Sequence, residues 1–130
     1  MNGNTRVVVT GVSSITALGL DEKTMWQNML AGKIGLGTIK SLDTSECKTH
    51  IGGEVNTDEL SAALKARQIS SSDRNIDMVM LAAADALTQA GYAPGSPPIH
   101  AATIAGTCLG SSWAMYASLF SLYEKGLRGV

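Results

Sequence analysis

Two short apolar runs, each closed by glycine, constrain the fold of this chain more than any other feature. Arg6-Val-Val-Val-Thr-Gly11 and Ala101-Ala-Thr-Ile-Ala105, the latter followed by Gly106, are nearly continuous in β-branched or small apolar residues. Runs of this kind read as strands covered on both faces, because a strand with one wet face alternates polar and apolar residues. Helical patterns fill the sequence between them. Strands alternating with helices predict a parallel sheet with helices packed over it, so the expected fold class is α/β.

The intervening elements follow from local signals. Asp21 is a good N-cap, with Glu22 in a position that suits the helix dipole, and Met25, Trp26, Met29 and Leu30 then form one apolar face up to Gly32. Residues 33–48 read as a loop, followed by a weak strand or hairpin over 49–55. A short helix is expected over 58–67. Ser70, Ser71 and Ser72 are read as opening the strongest helix, whose face is Ile76, Val79, Met80, Ala83, Leu87 and Ala90, with Gly91 as its stop. The small residues 82–86 suggest that it packs closely in an interior, with Met78 and Met80 as fillers. Pro94, Pro97 and Pro98 make a turn-rich connection. Another apolar helix is expected over 113–125.

Composition narrows the function classes. The 130 residues fit one domain, and only 16 % are charged, which suggests that much of the surface is covered by more chain or by a partner. A compact domain with a quiet surface would read the same way. The net charge is −1 and the ten Lys and Arg are scattered, so there is no electrostatic footprint for nucleic acid. No apolar stretch is long enough to span a bilayer, and the first residues carry no signal-peptide pattern, so a cytoplasmic protein is expected. Cys47 and Cys108 are expected as free thiols. Neither they nor His50 and His100 show metal-ligand spacing, and no metal or cofactor is called for.

Chemistry is sparse in the pattern. The loop after the first run has Gly11 and then no glycine until Gly19, which fails the dinucleotide fingerprint. Cys108 is the best-placed nucleophile, between a strand and a helix N-terminus, where a thiol pKa falls. The preferred reading of it is plainer: a small buried residue in a glycine-rich bend. Asp73-Arg74 reads as a local ion pair or a helix cap.

Seven stretches in order carry a resemblance. They are Arg6-Val-Val-Val-Thr-Gly-Val-x-x-Ile-Thr-x-Leu-Gly19, Trp26-Gln-Asn-Met-Leu-Ala-Gly-Lys-Ile-Gly35, Leu42-Asp43-Thr-Ser, Ile51-Gly-Gly-Glu-Val55, Asp73-Arg74, the alanine-rich helix to Ala90-Gly91, and Ile104-Ala-Gly-Thr-Cys-Leu-Gly110. In this order they resemble the N-terminal part of the β-ketoacyl-acyl-carrier-protein synthases, from residue 6 to the end. Ser13, Asn75, Asp77, Cys108 and Ser111 depart from the family's usual residues.

The resemblance implies a partial thiolase-like fold, the incomplete first half of one, forming a single segment over 1–130. It implies kinship with the decarboxylative condensation of acyl groups with malonyl carrier protein, in fatty-acid or polyketide synthesis. The family's cysteine nucleophile and two histidines lie beyond these residues, so no catalytic residue is expected here and the chain alone is expected to be inactive. Whether it is an enzyme in its own right is left open. By the same resemblance Leu109 lines the acyl pocket. The implied partners are acyl carrier protein or a complementary synthase subunit, with oligomers in the full-length family. A non-catalytic partner of a complete synthase is the alternative.

Overall fold

The computed structural model describes residues 6–71, 73–93, 95–96, 100–108 and 110–129. Its elements are mixed: helix α1 (Glu22–Leu30), strands β1 (Leu36–Thr38) and β2 (Ile51–Gly53), helices α2 (Thr57–Arg67), α3 (Arg74–Gln89) and α4 (Ser112–Lys125), and a 3₁₀ turn over Gly126–Gly129.

The helix starts are set by side chains that satisfy the unbonded N–H groups of a first turn. Asp21 accepts from the Thr24 N–H and hydroxyl at 2.8 and 2.7 Å. Asn56 caps α2 by accepting from the Asp58 and Glu59 N–H groups. Asp73 caps α3 through Asn75 and Ile76. The Asp-Arg pair is thus a cap and not a local ion pair, and α3 starts after Asp73 and not at the serines. Ser71 instead braces the cap: its hydroxyl accepts from the Asp73 N–H and donates to the Asp73 carbonyl. Gly32 and Gly91, expected to stop α1 and α3, lie at φ +69° and +88°, where a side chain would be strained.

The core is the α2–α3 pair. Leu60 of α2 and Leu81 of α3, each 2 % exposed, are the fully buried apolar side chains among the described residues. Arg74 donates to the Val55 carbonyl (2.7 Å) and the Thr57 hydroxyl (3.1 Å), which joins the two helix starts. Arg67 pairs with Asp85 and donates to the Thr88 hydroxyl, which joins their later turns. Starts against starts and ends against ends make the helices run in the same direction, so the connection from Gln68 to Asp73 runs back alongside them.

Gly11 fits against α3 with no room to spare. A Cβ built there would lie 2.0 Å from the Ala86 carbonyl oxygen and 3.2 Å from the Ala90 nitrogen. Beside it the Val12 N–H donates to the Gln89 side chain at 2.5 Å, and Gln89 in turn donates to Glu22 of α1 at 2.8 Å. The requirement for glycine at position 11 is a close approach of two backbones.

Two sequence expectations fail. The runs at 6–10 and 101–105 join no ladder among the described residues; Val7 and Ile104 are 92 % and 95 % exposed. A strand exists only with a neighbour about 4.8 Å away to take its N–H and C=O groups, and neither run has one there. The sheet that does form is antiparallel. It pairs Leu36 with Gly53 and Thr38 with Ile51, using residues read as loop for one of its strands. The parallel sheet of the expected fold is therefore not present among the described residues, though the mixture of helix and strand is.

The second failure concerns α3. Its expected inner face (Ile76, Val79, Met80, Ala83 and Leu87) is exposed, and the side carrying Asp77, Leu81 and Asp85 turns inward. α1 behaves similarly, with Trp26, Met29 and Leu30 open and Met25 half-buried. The periodicity marked the apolar stripe correctly; what lies against it is not among the described residues.

The accessible surface makes the same point in bulk. It is 10790 Å² for a 13.5 kDa chain, against about 6,500 Å² for a compact monomer of that mass. The excess, roughly 4,000 Å² on one chain, is more than one side of a permanent interface usually buries. The 130-residue chain is therefore expected to self-associate and to bind a hydrophobic dye. A monomeric elution with a sharp cooperative unfolding transition contradicts this. Replacing Gly11→Ala should cost about 1–3 kcal/mol, because the backbone of α3 must yield to the methyl group; unchanged urea unfolding would show that the approach is not close in solution.

Candidate functional site

Contacts from distant parts of the chain meet at the glycine-rich turn that follows the second apolar run. The turn is held by its own residues first. The Gly110 N–H donates to the Thr107 hydroxyl at 2.9 Å, and Gly110 sits at φ +57°, the left-handed conformation that favours glycine. It is then tied to the start of α3. The Ser111 hydroxyl donates to Asp73 Oδ2, and the Asn75 side-chain amide reaches the Gly110 carbonyl at 3.5 Å, near the limit for a hydrogen bond.

Asp73 is 4 % exposed, the one fully buried charged side chain among the described residues. The Ser111 hydroxyl and the N–H groups of Asn75 and Ile76 hold its carboxyl below the ordinary 3.8, and partial loss of water opposes them. Donors that stabilise the ionised form outweigh desolvation here.

An open groove runs from β1 and β2 to the starts of α2 and α3. Lys40, Glu54, Asp58, Arg74, Asn75 and Met78 are among the residues that line it. Glu54 closes one side by accepting from the Lys40 and Ser41 N–H groups at 2.8 and 2.9 Å. The Ser41 side chain, with those N–H groups, keeps the Glu54 carboxyl below its usual value. Two cationic and two anionic side chains face the groove and Arg74 is already committed to Val55 and Thr57, so it offers no net charge to attract an anion.

The expected site residues fare differently. Leu109, the one expected substrate contact, lies outside the described residues. Cys108 is a free thiol and exposed, not the buried small residue its setting suggested. Cys47 is likewise free and exposed, and the His50 ring is within 3.2 Å of the Thr44 hydroxyl. No cluster of three metal-ligand side chains occurs among the described residues. No described helix is long and apolar enough to cross a membrane.

The sequence did not single out the Asp73–Ser111 pair, whose partners are 38 positions apart. The visible half of the signal was an aspartate before an apolar helix, the pattern of an N-cap.

Asp73 also generates a pH expectation. A carboxyl whose folded pKa is lowered stabilises the fold fully above its ordinary value, 3.8, and loses that contribution as the pH falls through the lowered one. Circular dichroism during acid titration should therefore stay level down to about that value and decline below it. Loss of helix well above it contradicts the assignment.

Comparison with known proteins supplies the context. Residues 4–129 match the model of the β-ketoacyl synthase N-terminal domain. A putative β-ketoacyl synthase 1 of oxytetracycline polyketide synthesis from Streptomyces rimosus is 27 % identical over 121 residues, covering 93 % of this chain and 28 % of that protein. A 3-oxoacyl-acyl-carrier-protein synthase 2 from Staphylococcus aureus strain COL is 31 % identical over 90 residues, 69 % of this chain and 22 % of that protein. The ketoacyl synthase alpha subunit of a tetracenomycin polyketide synthase from Streptomyces glaucescens is 27 % identical over 124 residues, 95 % of this chain and 29 % of that protein. The chain thus spans under a third of the length of these relatives.

Proposed function

Since the chain belongs to the β-ketoacyl synthase family, matching its N-terminal domain, we propose that it contributes part of the acyl-binding scaffold of a decarboxylative condensing enzyme and does not catalyse condensation alone. The observation that carries this reading is the match of residues 4–129 to the family's N-terminal domain, set against relatives of which the chain spans 22 % to 29 %. In this reading Leu109 and the turn around it line the acyl pocket. The cysteine nucleophile and the two histidines come from outside these 130 residues. The open stripe on α3 and the unpaired runs at 6–10 and 101–105 support it, since both are surfaces that further chain would cover.

Two of these relatives are named for polyketide synthesis and one as a 3-oxoacyl-acyl-carrier-protein synthase; fatty-acid or polyketide synthesis is the proposed setting, with a malonyl group on acyl carrier protein as the second substrate. A second reading, a non-catalytic partner of a complete synthase, is favoured by the same open surfaces. It predicts that the chain alters the rate of a complete synthase when the two are mixed.

The test is a condensation assay on the 130-residue chain with acyl and malonyl carrier protein, together with a mass measurement for an acyl adduct. The expected result is neither product nor adduct. A stable acyl adduct on Cys108 would overturn the proposal and make that exposed thiol a nucleophile.

A further inference from the structure

We propose that Asp73 is a positioning residue: through Ser111 it sets where the 107–111 turn lies against the start of α3. The inference rests on the reading above only in its consequence, that placing this turn places a wall of the acyl pocket.

The two oxygens of Asp73 divide the work. Oδ1 accepts from the Asn75 and Ile76 N–H groups and so caps α3. Oδ2 takes no part in the cap and accepts from the Ser111 hydroxyl. The carboxylate cannot swing away to follow the turn, because the Ser71 hydroxyl holds the Asp73 backbone at both its N–H and its carbonyl. The helix start is therefore the fixed point, and the turn is the part that is held.

Ser111 is placed to do something else and does not do it. It is the N-cap residue of α4, yet its side chain makes no capping bond to that helix. A serine at an N-cap ordinarily satisfies one of the free N–H groups of its own helix. Here the hydroxyl is turned across to a residue 38 positions earlier. α4 packs against no described helix or strand other than the turn that continues it, so the link to Asp73 carries much of what keeps this end of the chain in place. The remaining contact, Asn75 to Gly110 at 3.5 Å, is at the margin of hydrogen bonding.

Two substitutions separate the cap from the tether. Ser111→Ala removes the hydroxyl and leaves the α3 cap untouched. Asp73→Ser keeps a good N-cap residue but is too short to reach Ser111. The hydrogen-exchange rates of two bonded amides serve as reporters: Gly110, which donates to the Thr107 hydroxyl inside the turn, and Met115, which donates to the Ser111 carbonyl at the start of α4. Loss of one hydrogen bond to a charged group should speed both rates about tenfold in either variant. α3 should stay protected, Ser111→Thr should restore the slow rates, and the double variant should be no faster than either single one. If Ser111→Ala leaves both rates unchanged with α3 intact, the proposal fails, whatever Asp73→Ser does. No acyl group or carrier protein enters this measurement, so its outcome is independent of the condensation assay.

Discussion

The carboxylate of Asp73 sits where three parts of the chain meet, and the described structure depends on its being ionised and immobile. It starts α3, it is braced by the segment returning from α2, and it holds the turn that leads into α4. A carboxylate shielded from water at this point is kept ionised by the donors around it, which outweigh the loss of hydration. Two N–H groups and a hydroxyl turn it into a junction. Arg74, its neighbour, works in the opposite direction by reaching back to the start of α2. The adjacent acid and base do not neutralise one another; each holds a different piece of chain.

Legibility in the sequence follows the range of the interaction. All four helices were readable, because capping, charge at the first turn and apolar spacing are properties of adjacent residues. Asp21 and Gly91 behave as their sequence contexts imply. The weak strand expected over 49–55 is present as β2, but the two apolar runs were misread for a matching reason: strand formation depends on a partner elsewhere in the chain. The valine-rich run at 7–9 has high strand propensity and no ladder, whereas residues 36–38, Leu-Gly-Thr, have little propensity and do pair. The face of α3 shows the same limit. Its stripe was visible, but what covers a stripe is not written in the helix that carries it.

The candidate site was half legible. The glycine-rich turn stood out, and the family resemblance drew attention to Leu109. The residues that fix the turn did not, because Ser111 was read only as a departure from the family's usual residues and Asp73 as a cap or a local ion pair. A substitution that looks like relaxed constraint in a linear comparison is, in three dimensions, the donor of a tertiary bond.

α3 finally acts as a ruler. Near one end it receives Gly11 and Val12, which close the first apolar run, and at the other it receives Gly110 and Ser111, which follow the second. At 1.5 Å per residue the helix sets these two docking points about 20 Å apart. The spacing of the two runs is thereby stored in the length of a helix. A single inserted residue would rotate one docking point by about 100° around the axis as well as shifting it along. Helix length, more than helix composition, is the quantity this architecture can least afford to change.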